Sequence, residues 1–451
     1  MERVDAAGAL GGEWEGGSAE GVVPAPPITV DALHEHRTLV TNAGVLLAGQ
    51  ALGLVAPLIT VPYLARVLGP AGWGPVLTAQ ALANWLIVVL EFAFDLSGTR
   101  AVARSRAAAT GESMLDIVQA VQSAKLLLVL ITVPVGLAIT QLVPMLRGSP
   151  ALIIGALAYA VFRGLSPLWY FQGIERVRVA VAVDSTAKVC AAVAVFLVVV
   201  GPADGWLVLA LQAVFSAVSL GWLTWRLARD TRLDSLDLRA GWRTLRENAV
   251  LFACRVSTGL YAQANALILG AMIPAAVGFF GGAERIIRAA INLLLPMNQA
   301  VMPRVSALRQ ADPAAANRLV RRSFLAMGTI GGTMSAVAFF GAPILIRVLL
   351  GPAYGIAVPI LRLLSPLPFI VAINTVLGIF WSVPFGHERS FLRAILAAGA
   401  TNLILAALLV PKLGSTGMAI AAVSAEVVIF VVLMTVYSRE SGRGTRREAG
   451  A

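Results

Sequence analysis

From residue 39 onward the chain alternates long apolar runs with short polar breaks that hold most of its arginines. Twelve runs stand out, at 39–64, 74–97, 117–143, 150–172, 179–200, 206–228, 249–273, 275–302, 323–346, 357–383, 390–410 and 414–437. A helix rises about 1.5 Å per residue, so each run can cross about 30 Å of hydrocarbon. The pattern predicts an all-α integral membrane protein with twelve transmembrane helices.

The basic residues give this count an independent check. The amino-terminal tail, the even-numbered loops and the carboxyl tail hold 24 of the 35 Lys and Arg residues. The odd-numbered loops hold four, Arg66, Arg147, Arg347 and Lys412, and seven lie deeper inside the runs, with Arg226 and Arg393 at run ends counted among the 24. Short cytoplasmic loops are the basic ones, so the alternation predicts both termini in the cytoplasm. A missed or spurious helix would have scrambled it.

Residues 1–37 are rich in Gly, Ala, Pro and Glu and hold no apolar core, which predicts a disordered cytoplasmic tail and no signal peptide. Residues 438–451 are expected to be a second cytoplasmic tail. The longest ordered connection, 229–247, places Trp242 among Arg239, Arg243 and Arg246 and is predicted to lie along the cytoplasmic membrane surface. It divides the chain into two six-helix bundles, 38–228 and 248–437. These bundles correspond weakly in sequence: aligning Gly74 with Gly278 places Arg100 on Arg304, and aligning Asn42 with Asn248 places Gly53 on Gly259. Paired repeats with polar groups at their interface are a common transporter architecture.

Composition narrows the class further. Hydrophobic residues make up 58% of the 451 and charged residues only 13%, against about 25% charged in soluble proteins. The net charge of +11 is dispersed among short loops, so it orients helices and does not point to nucleic acid. Arginine outnumbers lysine 32 to 3 throughout, so the bias alone does not argue for phosphate binding. Cys190 and Cys254 fall in apolar runs, and His34, His36 and His387 in tail or loop. Neither set has metal-ligand spacing, and the expectation is no metal, no cofactor and no structural disulfide.

Charges inside the runs are the candidate chemistry. An arginine at mid-membrane costs about 2.5–3.5 kcal/mol on insertion scales unless it meets water or a partner. In the 248–304 hairpin, Glu284, Arg285 and Arg288 crowd one helix face, continued by Asn292 and Gln299. On the preceding helix Asn248, Arg255, Gly259 and Gln263 form a second stripe. Two stripes on adjacent helices predict a shared wet lining; the alternative is a set of ion pairs that only pins helices together. Arg163 and Lys188 sit in mid-run elsewhere. Lys188 has Asp184 one turn before it, and Arg163 has no carboxylate within its own turn. Arg255 lies near a helix end, where reaching the interface is a rival explanation. Lys125, Asp95 and Arg393 are read as end anchors, and Arg362 as a release contact or an interfacial anchor. Asn84, Gln263, Asn292, Asn298 and Asn374 are candidate polar lining, and Glu91, Glu284 and Glu426 candidate carboxylates for coupling to an ion gradient.

Three motifs then carry a resemblance. Asn42 with Val61-Pro62-Tyr63-Leu64-Ala65-Arg66-Val67-Leu68-Gly69-Pro70 and Gly72-Trp73-Gly74 resembles the first-helix signature of Wzx-type polysaccharide flippases, relatives of the MATE drug transporters and lipid II flippases. Trp169-Tyr170-Phe171-Gln172-Gly173-Ile174-Glu175 and Leu349-Leu350-Gly351-Pro352-Ala353-Tyr354 resemble two further motifs of that family. The resemblance implies a V-shaped, MATE-like pair of six-helix lobes around a cationic cavity in the bacterial cytoplasmic membrane. It also implies a cargo, undecaprenyl-pyrophosphate-linked oligosaccharide, carried to the outer leaflet by alternating access and passed to polysaccharide polymerase or export machinery, with membrane lipids as surroundings.

The residues fit that cargo. Arginine forks match phosphate oxygens, which makes Arg163, Lys188, Arg255, Arg285 and Arg288 the expected substrate lining. A MATE-like exporter of drugs or metabolites is the nearest rival, but a guanidinium lining repels organic cations. A membrane-embedded glycan polymerase or ligase is the rival of another class. Short outer loops and no nucleophile paired with a base disfavour it, so no enzyme is expected.

Overall fold

A computed structural model describes the backbone of residues 30–107, 113–231 and 235–448, and the side chains of these except 30–58, 254–263 and 441–448. Residues 1–29 of the expected tail, and the side chains of Arg255 and Gln263, therefore lie outside the described residues.

The described secondary structure is helical throughout. The first half holds α1 (Val30–Glu91), α2 (Phe94–Arg106), α3 (Met114–Leu142), the short α4 (Pro144–Arg147), α5 (Pro150–Gly164), α6 (Leu168–Gly173), α7 (Val177–Val198) and α8 (Gly205–Thr231). The second half holds α9 (Leu238–Met272), α10 (Pro274–Asn292), α11 (Leu295–Ala311), α12 (Pro313–Phe340), α13 (Ala342–Leu345), α14 (Ala357–Leu364), α15 (Leu367–Thr375), α16 (Glu388–Leu413) and α17 (Ser415–Glu448). Local chemistry starts several of them. Asp237 accepts from the Arg239 and Ala240 amides, Asp312 from Ala315, and Ser113 from Leu115, while Pro150, Pro274 and Pro313 open α5, α10 and α12, where a missing N–H costs nothing.

Among the described residues, nine helical segments are long and apolar enough to cross a membrane. They coincide with nine of the twelve expected runs. The remaining three are 39–64 and 249–273, which overlap the undescribed side chains, and 275–302, which carries three charges and breaks at Leu293–Leu294 between α10 and α11. In the stretch 229–247, the residues from Leu238 onward belong to α9, which continues into the following run. Gly241 lets that helix approach the backbone of Ser123 and Ala124 on α3, and Phe92 stacks on Phe252 of α9 at 4.0 Å between centroids. Ser365 and Pro366 separate α14 from α15.

At the opposite end from these contacts, two Gly-Pro turns meet. Gly69 (φ 64°, ψ 174°) kinks α1 and Gly351 (φ 100°, ψ 171°) precedes Pro352, both in a region that a side chain strains. Arg66, three residues before the first, donates to the Val348 carbonyl, three residues before the second. Trp73 meets Tyr354 edge-on at 6.2 Å. Gly278 of α10 packs directly against the Pro70 carbonyl, and the position of a Cβ on Gly74 lies 3.4 Å from the Gly278 amide. The two glycines paired in the internal alignment thus touch across the boundary between halves.

Candidate functional site

The site grows from one face of α10. Arg288 donates to Glu284 Oε1 from Nη2 at 2.8 Å and from Nε at 3.2 Å, the one-turn pairing that the i,i+4 spacing allows. Asn265 of α9 adds a longer bond to the same oxygen at 3.4 Å. Arg285 points the other way, toward α1, where it donates to the Gln80 side-chain oxygen and lies 5.7 Å above the Trp73 ring. Between α1 and α10 is a cavity of about 470 Å³ lined by Gln80, Asn84, Glu284, Arg285, Arg288 and Asn292.

A second chamber, of about 200 Å³, lies inside the first half. Its walls include Tyr159 and Arg163 of α5, Asp184 and Lys188 of α7, and Gln212 of α8, and it shares Gln80 and Arg285 with the central cavity. Asp184 holds both cations. Its Oδ1 accepts from Arg163 and its Oδ2 lies 2.8 Å from Lys188 Nζ. The Asp184–Lys188 turn pair is the one its spacing predicts; the carboxylate for Arg163 comes from another helix, which spacing within α5 could not reveal.

Behind Arg163 is a third cavity of about 60 Å³ with Glu91, Asp95 and Lys125 in its wall. Lys125 corrects the sequence reading. It is not an anchor at the membrane surface but 3% exposed, and its Nζ donates to the carbonyls of Gly164 at 2.8 Å and Ser166 at 2.9 Å. Those carbonyls are orphaned where α5 stops before Pro167, and a cation at a helix C-terminus satisfies them.

Of the remaining candidates, Glu91 lines this third cavity, and Asn374 and Glu426 form a separate link. Asn374 Nδ2 donates to Glu426 Oε2 at 2.9 Å and to its carbonyl at 3.0 Å, tying α15 to α17 away from the three cavities. Asn298 lines none of these cavities either, and its Oδ1 is buried without a hydrogen-bond partner. Arg362 is exposed with its guanidinium 5.9 Å from the Phe339 ring, and Arg393 is exposed. The sequence reading missed Gln80, Gln212 and Tyr159. Gln80 was within reach, since it precedes the candidate Asn84 by one helical turn inside an apolar run. The Trp169 motif is a packing motif: Trp169, Tyr170 and Phe171 are buried, and Thr99 of α2 donates to the Trp169 carbonyl at 3.0 Å.

The electrostatic sum over the two larger cavities is positive. Arg163, Lys188, Arg285 and Arg288 face Asp184 and Glu284, four cations against two carboxylates. Such a surplus inside apolar helices is costly without an anion or water. The arrangement can hold and release anionic groups.

Charged cavities among long apolar helices define a multi-pass membrane protein with a polar interior. The fold matches an inward-facing MATE family transporter of the MOP superfamily with a TM-score of 0.66 at 17% identity, covering 87% of this chain and 95% of that one. It also matches the lipid II flippase MurJ in an inward closed conformation, with a TM-score of 0.65 at 15% identity, covering 88% and 87%. Two relatives, each named "Putative O-antigen transporter", are 28% identical in Escherichia coli K12, over 85% of this chain and 93% of theirs, and 26% identical in Shigella dysenteriae, over 84% and 94%. Residues 39–309 match the polysaccharide biosynthesis protein family. The chain belongs to that family, in keeping with the resemblance its Wzx-type motifs carry.

Proposed function

We propose that this protein is a flippase that moves a polyprenyl-pyrophosphate-linked oligosaccharide from the inner to the outer leaflet of the bacterial cytoplasmic membrane. In this reading twelve helices form two pseudo-repeated six-helix bundles, both termini face the cytoplasm, and alternating access exposes the cavity to each side in turn. Arg285 and Arg288, with Asn84 and Asn292, receive the diphosphate in the central cavity. Arg163 and Lys188 extend the cationic lining into the first half, and Arg255 remains a candidate on α9. Glu91, Glu284 and Glu426 are the carboxylates available for coupling to an ion gradient. The flipped glycan is then available to polymerase or export machinery.

The observation that carries the proposal is that Arg285 and Arg288 both line the cavity of about 470 Å³ between α1 and α10. Guanidinium forks bind phosphate oxygens in pairs and repel organic cations, which favours a glycolipid diphosphate over the drug-like cations of an exporter. The test is reconstitution: proteoliposomes loaded with a polyprenyl-diphosphate oligosaccharide, with lectin access from the opposite leaflet as the readout. Protein-dependent access that Arg285→Ala and Arg288→Ala both abolish is the expected result. Access that these folded variants leave at the wild-type rate would remove the arginines from the substrate path.

A further inference from the structure

We propose that the chamber inside the first half is a subsite for one carboxylate-bearing sugar of the glycan, and so a determinant of which glycan is carried. The inference rests on the flippase reading and adds the substrate class that this part of the site selects.

Size comes first. At about 200 Å³ the chamber is on the scale of a single sugar ring and is less than half the central cavity of about 470 Å³. The walls carry the groups that a sugar uses. Phe162 and Phe215 offer aromatic surface, Gln80 and Gln212 offer amides, and Tyr159 and Ser216 offer hydroxyls. Gln80 and Gln212 are already oriented toward one another, at 3.4 Å.

Two further serines border this wall with their hydroxyl oxygens turned into the packed protein. Ser166 Oγ and Ser219 Oγ are buried with no hydrogen bond, although both line the chamber.

Charge sets the class of sugar. Three cations, Arg163, Lys188 and Arg285, face the chamber against one carboxylate, Asp184, whose two oxygens are both engaged. Glu91 and Asp95 lie on the far side of Arg163, in the smaller cavity with Lys125. Lys188 pairs with Asp184 through Nζ, and its side chain is 48% exposed, so the ammonium, with three donors, has capacity for a ligand. A sugar carboxylate placed there accepts from Lys188 and from the outer edge of Arg163. Connectivity completes the argument: Gln80 and Arg285 border both cavities, so a glycan whose diphosphate rests on Arg285 and Arg288 has its nearest sugars at the mouth of the chamber.

The experiment compares two cargoes with the full-length protein in proteoliposomes. Both are polyprenyl-diphosphate disaccharides, one with glucuronate and the other with glucose at the same position. The wild type is expected to move the acidic cargo about tenfold faster, the effect of one charge-assisted hydrogen bond. Lys188→Gln and Arg163→Gln are each expected to bring the ratio of the two rates close to one. Lys188→Gln is half-exposed and tolerant, and thermal unfolding checks that each variant folds. Equal wild-type rates, an unchanged ratio in both variants, or a loss that slows both cargoes alike would overturn the subsite and leave the flippase reading standing. If neither cargo moves, both fail.

Discussion

The Arg285 guanidinium donates to the side-chain oxygen of Gln80, 205 positions earlier in the chain, where the central cavity meets the chamber of the first half. One bond thus joins the two halves and partitions the two spaces. Arg285 also rests over Trp73, whose ring touches Tyr354 at the Gly-Pro end. An anion that draws Arg285 toward the central cavity therefore competes with contacts that hold the halves together.

Removing the acceptor tests that partition. Gln80→Leu leaves a buried guanidinium without its oxygen, a loss of about 1.5–3 kcal/mol for a bond to a charged group. The expected outcome is a lower unfolding temperature in detergent together with reduced glycolipid export. Wild-type values for both would show that the bond does nothing.

The two arginines of α10 are expected to differ under conservative change. Lysine keeps the charge but loses the fork and the planar face, and Arg285 uses both, on Gln80 and on Trp73. Export should fall about tenfold or more for Arg285→Lys, and less for Arg288→Lys, which can still reach Glu284 one turn away. Equal retention of export by the two lysine variants in a complementation assay would contradict this.

Asp184 should matter more to stability than Lys188. Asp184→Asn leaves two cations facing each other without their shared counterion, and breaking a buried pair costs about 3–5 kcal/mol. Lys188→Met removes only a partly exposed turn pair worth about 0.3–0.5 kcal/mol. Thermal unfolding of the two variants should therefore separate clearly, and similar midpoints would mean that the chamber is wet enough to screen the charges.

Lys125 is expected to be structural. Lys125→Met keeps the stem and removes the ammonium, leaving the Gly164 and Ser166 carbonyls without a donor at about 1–3 kcal/mol each. Membrane-inserted yield should drop while residual export per molecule is retained. A variant of normal yield that does not export would instead place Lys125 on the transport path.

The glycine contact makes a geometric prediction. A Cβ on Gly278 would overlap the Pro70 carbonyl, so Gly278→Val should force the Gly-Pro turns apart. In a chain with cysteines at 66 and 348, in place of Arg66 and Val348, cross-linking should fall sharply once this valine is added. Unchanged cross-linking would mean that the backbone accommodates the side chain elsewhere.

Much of this molecule was legible in the residues alone because insertion into hydrocarbon is a local matter. Apolar runs of sufficient length, arginines gathered on alternate loops, and the charged turn of α10 that carries Glu284 and Arg288 each follow from composition and helical period, which need no knowledge of neighbours; that Arg285 turns away from that pair does not. The turn pairs Asp184–Lys188 and Glu284–Arg288 belong to the same level, since a helix sets the distance between residues four apart. What only the tertiary structure decided are the partnerships between helices. Arg163 finds Asp184, Arg285 finds Gln80, Lys125 closes the end of α5, and Gly74 meets Gly278. Those depend on which helices pack and at what rotation, and a buried charge accepts whichever partner packing brings within reach.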